Sequence, residues 1–191
     1  MLNSQKKKLI MVHGIWTGPE GDWFRWVAVE AEKRGFDVIA PQMPNPLLPS
    51  LEAWLTMLKT ISWNIDENTY FLGHSLGCIT IVHLLASLPP ETKIGGAVFV
   101  AGFCSVPRVH YLDEFCDCQI DWDRIKKVTN KYRVILSTDD IFVPLRVGQD
   151  FAAKLGAEVI IEKNKGHFTH YAGVFRLPSA FNSLMYLAGE I

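Results

Sequence analysis

The sequence predicts a single α/β domain: a mostly parallel sheet of six strands, helices on both faces, and no large cap. Short apolar runs alternate with longer segments of helical period along the whole chain, the order that parallel sheets with crossover helices produce. Runs such as Gly96-Ala97-Val98-Phe99-Val100-Ala101 are apolar without alternation, as expected of strands covered on both sides. The length of 191 residues is about that of one ordinary domain. No fixed repeat or linker-like composition divides it, so residues 1–191 read as one unit.

The elements follow in order. Lys8–His13 reads as the first strand, ending at His13-Gly14. Asp22 is an N-cap type before Trp23, Phe24, Trp26, Val27 and Ala31 at helical spacing, and Gly35 closes that helix. Phe36–Ala40 is the second strand. The proline-rich connection Pro41 to Pro49 cannot be helical inside, and Ser50 caps a helix whose apolar stripe is Leu51, Trp54, Leu55 and Leu58. Thr69–Leu72 is the third strand. Leu76 to Leu88 is apolar almost all round, which predicts a helix packed on several sides. Gly95–Ala101 and Tyr132–Ser137 are the next strands, separated by the longest excursion, residues 102–131, with a short helix at Asp121–Val128. Gln149–Leu155 reads as helix, Glu158–Glu162 as the last strand, and Pro178 opens the terminal helix at an N1 position.

Composition excludes several classes. Nineteen basic residues against 20 acidic ones give a net charge of −1, without the basic excess of a nucleic-acid binder. The longest apolar stretch, Ile94 to Cys104, is far short of the roughly 20 residues that span a bilayer. Behind Lys6-Lys7-Lys8 stand only Leu9-Ile10-Met11-Val12, too few for a secretory signal of roughly 7–15 apolar residues. The expectation is a cytoplasmic protein that binds neither membrane nor nucleic acid. Its four cysteines should then be reduced. Cys104, His110, Cys116 and Cys118 are four possible zinc ligands. Cys-x-Cys is not a usual zinc knuckle, however, so the cysteines read as solvent-edge or half-buried thiols, and no metal or cofactor is expected.

Open parallel sheets hold ligands beyond the C-terminal ends of their strands. After the third strand comes Gly73-His74-Ser75-Leu76-Gly77, a G-x-S-x-G between a strand and a buried helix. That is the setting of a nucleophile elbow, where a serine occupies a sharp strained turn. A serine needs a neighbouring base, and His167, in Gly166-His167-Phe168 just after the final strand, has the position for it. His170 is near enough to stand as a second candidate. The base needs an orienting acid, and Asp139-Asp140 follows the fifth strand. Asp140 is assigned that role, with Asp139 holding or capping the loop through an Asx-type bond. The backbone N–H groups of Ile15 and Leu76 are assigned to the oxyanion. Trp16, Met43, Phe142 and Phe168 are candidate walls of an apolar pocket, with core packing expected for at least half of them. For Trp16, packing against the Trp23–Trp26 helix is an open alternative.

These residues identify a resemblance that covers nearly the whole chain. The sequence is similar to the YdeN-type small serine hydrolases, a branch of the α/β-hydrolase superfamily that includes the vertebrate retinoblastoma-binding serine hydrolase. The similarity is carried by His13-Gly14, Asp22-Trp23-Phe24-x-Trp26, Met43-Pro44-Asn45-Pro46, the Gly73–Gly77 motif, Asp139-Asp140 before Val143-Pro144, and Gly166-His167-Phe168. It implies a compact hydrolase whose catalytic triad matches Ser75, Asp140 and His167 and whose partner is a small-molecule acyl substrate. The chain order Ser…Asp…His is that of α/β-hydrolases. The L-x-C-x-E pattern used for retinoblastoma-protein binding is absent, so that partnership is not implied. A catalytically weak interaction protein on the same scaffold is the competing expectation, because fold alone does not fix function. A dinucleotide-binding domain is excluded, since no strand is followed by G-x-G-x-x-G.

Overall fold

The computed structural model describes residues 6–105, 112–116 and 119–191. Strands β1 (Lys8–Val12), β2 (Asp37–Ile39), β3 (Thr69–His74), β4 (Gly96–Val100), β5 (Tyr132–Ser137) and β6 (Glu158–Glu162) form one sheet in the order β2-β1-β3-β4-β5-β6. Every neighbouring pair is parallel. The helices are α1 (Phe24–Lys33), α2 (Leu51–Ile61), α3 (Leu76–Ser87), α4 (Asp113–Cys116), α5 (Trp122–Val128), α6 (Leu145–Leu155) and α7 (Pro178–Leu187).

The side-chain period of two along a strand divides the core into two layers. Ile10 and Val12, Phe71, Ala97 and Phe99, and Val134 and Leu136 join Trp54, Leu58, α3, Ile125 and Phe151 on one face. Leu9 and Met11, Tyr70 and Leu72, Val98 and Val100, and Ile135 join Phe24, Val27, Leu184 and Met185 on the other. Thus α1 and α7 cover one side, while α2, α3, α5 and α6 cover the opposite side. Chain order reverses between β1 and β3, and such a switch point opens a crevice at the strand ends.

Several boundaries differ from the sequence expectation, each for a local reason. Asp22 does not cap α1. Trp23 takes the N-cap position without a side-chain cap bond, and the Asp22 carboxylate is turned to His170. Helix α6 starts at Leu145 rather than Gln149, because Leu145 and Val147 pack against the core and anchor an extra turn. Strand β3 runs on through Gly73 and His74. Ser50 does cap α2, accepting from the Ala53 N–H, and Asp121 caps α5. Within the 102–131 excursion, the Glu114 carboxylate of α4 accepts the Leu51 N–H at 2.9 Å. Cys78 is buried and Cys104 and Cys116 are partly exposed, with no disulfide among the three. His110 and Cys118 lie outside the described residues. Among the described residues no helix is long and apolar enough to cross a membrane.

Helix α3 is buried over most of its length and lies hard against the sheet. A Cβ on Gly77 would stand 2.1 Å from the Val12 carbonyl oxygen and 2.8 Å from that of His13. Gly77→Ala should therefore destabilise the protein by about 3 kcal/mol or prevent folding, at the upper end of overpacking costs. Urea unfolding checks this, and a midpoint equal to that of the parent protein contradicts it.

Candidate active site

Ser75 joins β3 to α3 with φ 52° and ψ −118°. A non-glycine residue there stores strain of about 1–3 kcal/mol and persists only when its surroundings over-determine it. They do so here. The Ser75 N–H donates to the Val100 carbonyl at 2.9 Å, and the Ser75 carbonyl accepts from Cys78 N–H at 2.9 Å. A Cβ on Gly73 would meet the Cys78 backbone at 2.9 Å, and one on Gly14 would meet the Ser75 Cβ at 3.2 Å. The loop leaving β1 thus passes directly beside the serine.

Ser75 Oγ lies 2.8 Å from His167 Nε2, and His167 Nδ1 lies 2.8 Å from Asp140 Oδ2. The Asp140 side chain is 1% exposed and that of His167 11%. The second Asp140 oxygen, Oδ1, accepts the N–H groups of Phe142 and Val143, both at 2.9 Å. Asp140 is thereby an acceptor on both oxygens, which orients His167 with its proton on Nδ1 and its Nε2 lone pair toward the serine hydroxyl. Asp139 does not reach His167. It accepts from Ser137 Oγ at 2.6 Å and from Gly166 N–H at 2.9 Å, and these bonds hold its carboxyl below the usual carboxylate range. It pins the end of β5 to the loop after β6.

That loop is gripped along its backbone by side chains from elsewhere in the chain. Besides the Asp139 contact, His74 Nε2–H donates to the His167 carbonyl at 2.9 Å and Trp23 Nε1–H to the Phe168 carbonyl at 3.0 Å. Asp22 Oδ1 accepts the His170 N–H at 2.6 Å and its Nδ1 at 2.8 Å. His170 is therefore committed to Asp22 and is not a second partner for Ser75. His13 plays a similar part in the opposite wall. Its Nδ1–H donates to the Gly14 carbonyl at 2.7 Å, and its Nε2 accepts the Met43 N–H at 2.9 Å.

The four candidate pocket residues separate into two pairs. Met43 and Phe168 are buried, Met43 in the core layer with Trp54 and Phe168 in the layer of Trp23 and Phe24. Neither is a pocket wall. Met43 is drawn inward by His13, and Phe168, at φ 55°, by the bond from Trp23. Phe142 is exposed beside the site, its ring centroid 5.2 Å from that of His167. Trp16 is also exposed, and the rings packed on Trp23 and Trp26 are Phe24, His74 and Phe181. Trp16 N–H donates to the Pro46 carbonyl at 3.0 Å. Among the described residues no acceptor takes the N–H of Ile15 or of Leu76, the first residue of α3.

His13, His74, Asp22 and Trp23 thus position the site without having been assigned to it from the sequence. Their partners are backbone groups or side chains on distant segments. The available signal was the presence of polar rings beside Gly14 and Ser75. Burial pushes the His74 imidazole down to about 4, with the neighbouring His167 as a second cause. Burial also lowers His13. Because the folded protein binds these protons less readily than the unfolded chain, stability is fully present above pH 6.5 and is lost as pH falls toward 4. For His74 the loss is on the order of 3 kcal/mol. His74→Gln, which keeps a donor for the His167 carbonyl, should flatten the urea-midpoint profile between pH 6.5 and 4. An equally steep profile contradicts the assignment.

Comparison with known proteins gives the family and the fold. The family model described as serine hydrolase matches residues 9–186. The YdeN protein of Bacillus subtilis (strain 168) is 34% identical over 179 residues, covering 93% of this chain and 94% of that protein. Its crystal structure superposes with a TM-score of 0.92 at 33% identity, covering 96% of this chain and 99% of the other. The serine hydrolase RBBP9 of Rattus norvegicus is 27% identical over 150 residues, 76% of this chain and 77% of that one. An α/β hydrolase from a lagoon-sediment metagenome in Morocco shares the fold at TM-score 0.65 and 19% identity, over 95% of this chain and 90% of its own. With its six-stranded parallel sheet and a family match over nearly its whole length, the chain belongs to the serine hydrolase family and has the α/β-hydrolase fold.

Proposed function

We propose that the protein cleaves a small carboxylic ester, or a related thioester or amide, through an acyl-enzyme on Ser75. The observation that carries this reading is the unbroken hydrogen-bonded chain from Asp140 through His167 to a serine held on a strained strand–helix turn. His167 Nε2 takes the Ser75 proton as Oγ attacks the acyl carbon. Asp140 holds the imidazole tautomer and stabilises the imidazolium without taking its proton. The tetrahedral oxyanion is met by the N–H groups of Ile15 and Leu76, each worth roughly 2.7–4 kcal/mol in the transition state. His167 then gives its proton to the leaving group. It next takes one from water, whose oxygen attacks the acyl-enzyme, and returns that proton to Ser75 Oγ. The group needs no cofactor for any of these steps.

The described residues form no large cap over Ser75, and small or medium acyl groups fit such a site better than long chains. A cytoplasmic setting suits the unbridged thiols of Cys78 and Cys104.

Ser75→Ala should abolish labelling by a fluorophosphonate probe, and labelling that persists contradicts the nucleophile assignment. Asp140→Asn should lower kcat on p-nitrophenyl butyrate by about 10⁴-fold, as loss of the orienting acid does elsewhere. Asp139→Asn should cost far less, because it only pins the loop; equal losses contradict the division of roles. Across p-nitrophenyl esters kcat/KM should favour butyrate over palmitate, and the reverse order contradicts the open-site reading.

A further inference from the structure

Five large apolar side chains stand in water on the loops beyond the C-terminal ends of the strands: Trp16, Leu47, Leu48, Ile141 and Phe142. Leu47 is 69% exposed and Ile141 84%. Scattered exposed apolar residues are normal, but a group gathered at one place marks a binding surface. These are gathered by specific bonds. The bond from Trp16 N–H to the Pro46 carbonyl ties the loop after β1 to the turn in which Leu48 N–H donates to Asn45 at 3.0 Å, with Leu47 at its tip. Trp16 itself comes two residues after Gly14, the neighbour of Ser75. On the other side, Phe142 stands edge-on to His167. Ser75 thus has the loop of Trp16 next to it through Gly14 on one side and Phe142 next to its partner His167 on the other.

Backbone conformation supports a functional reason for this arrangement. Trp16 has φ 60° and Asn45 φ 41°. For a bulky residue such as Trp16 the left-handed region is costly, and here it holds an indole outward into solvent. Among the described residues no hydrogen bond or core contact of that ring accounts for it.

Charge points the same way. Val38–Leu51 contains no charged residue. The acids on the adjoining loops are engaged elsewhere. Glu20 pairs with Arg25, Asp22 with His170, Asp139 with Ser137 and Gly166, and Asp140 with His167. The cations Arg146, Lys163 and Lys165 all lie on the β5–β6 side. Among the described residues, the Trp16–Leu47–Leu48 flank has no partner for an anionic group, and desolvating an uncharged one there costs little.

Resting on the acyl-enzyme reading above, we infer that the substrate is an uncharged ester that is apolar on both sides of the scissile bond. Its acyl group lies on Trp16, Leu47 and Leu48. Its leaving group lies against Phe142 and Ile141, because His167, which protonates the departing oxygen, is on that side. Leu47 and Leu48 are then specificity-determining residues, a role their sequence positions did not suggest.

The test compares two p-nitrophenyl esters of matched size: the mono-ester of adipic acid and its isostere with isopropyl in place of the free carboxylate. The apolar ester should have the higher kcat/KM by about 100-fold or more, and the double variant Leu47→Ser/Leu48→Ser should shrink that ratio about ten-fold, the scale on which apolar pockets discriminate. Both leucines are exposed, so the double variant should fold. Equal or reversed preference in protein that a fluorophosphonate still labels overturns this inference and leaves the acyl-enzyme reading standing. Absence of both labelling and hydrolysis overturns both. A double variant with the parent ratio overturns the role of the leucines. If sedimentation shows a dimer that the double variant converts to a monomer with the ester preference intact, the flank is a self-association surface and the inference fails.

Discussion

The approach of α3 to the end of β1 is the constraint on which the rest depends. Where a side chain at residue 77 would strike the Val12 carbonyl, only glycine fits, and the chain has no room to leave β3 gradually. It turns within one residue, and that residue is Ser75, in a conformation that disfavours every side chain but glycine. The same closeness sets the first free N–H of α3, that of Leu76, beside the serine and brings the loop of Gly14 and Ile15 across it. The elbow, the placing of these N–H groups and the crevice are three consequences of one packing contact.

Holding a histidine against that serine is a separate problem, because His167 comes from a loop beyond the edge strand β6. The solution is a set of bonds from side chains to the loop backbone, contributed by Trp23, His74, Asp22 and Asp139. They come from the start of α1 and from the ends of β3 and β5, so the loop is fixed only when the whole sheet edge is assembled. Buried polar groups of this kind are costly unless paired. In return they specify a single arrangement. His74 illustrates both sides. It grips the His167 carbonyl, yet its other nitrogen is buried with no hydrogen-bond partner among the described residues, and burial holds the ring neutral.

Most of the architecture was legible in the sequence, because parallel strands buried on both faces and amphipathic helices write their period directly into it. Ser75, His167 and Asp140 could be picked out for the same reason, since each follows a recognisable strand. What could not be read was determined by contacts across the fold. Asp22 has the residue type of an N-cap, but its carboxylate is taken by His170 from far along the chain. Met43 and Phe168 are apolar residues beside motifs, and nothing local distinguishes a side chain turned into the core from one lining a cleft. Their backbones are pulled inward by His13 and Trp23, partners visible only after folding. Leu47 and Leu48 pose the reverse case: residues that would suit a core are left outside by a turn anchored to Trp16.

Acyl transfer through Ser75 Oγ is checked by rapid-quench mass spectrometry during turnover of an activated ester. A burst of product near one equivalent per chain is expected, with the acyl group on the peptide that contains Ser75. Acylation at Cys104, at a histidine or at no residue, with turnover continuing, would contradict it.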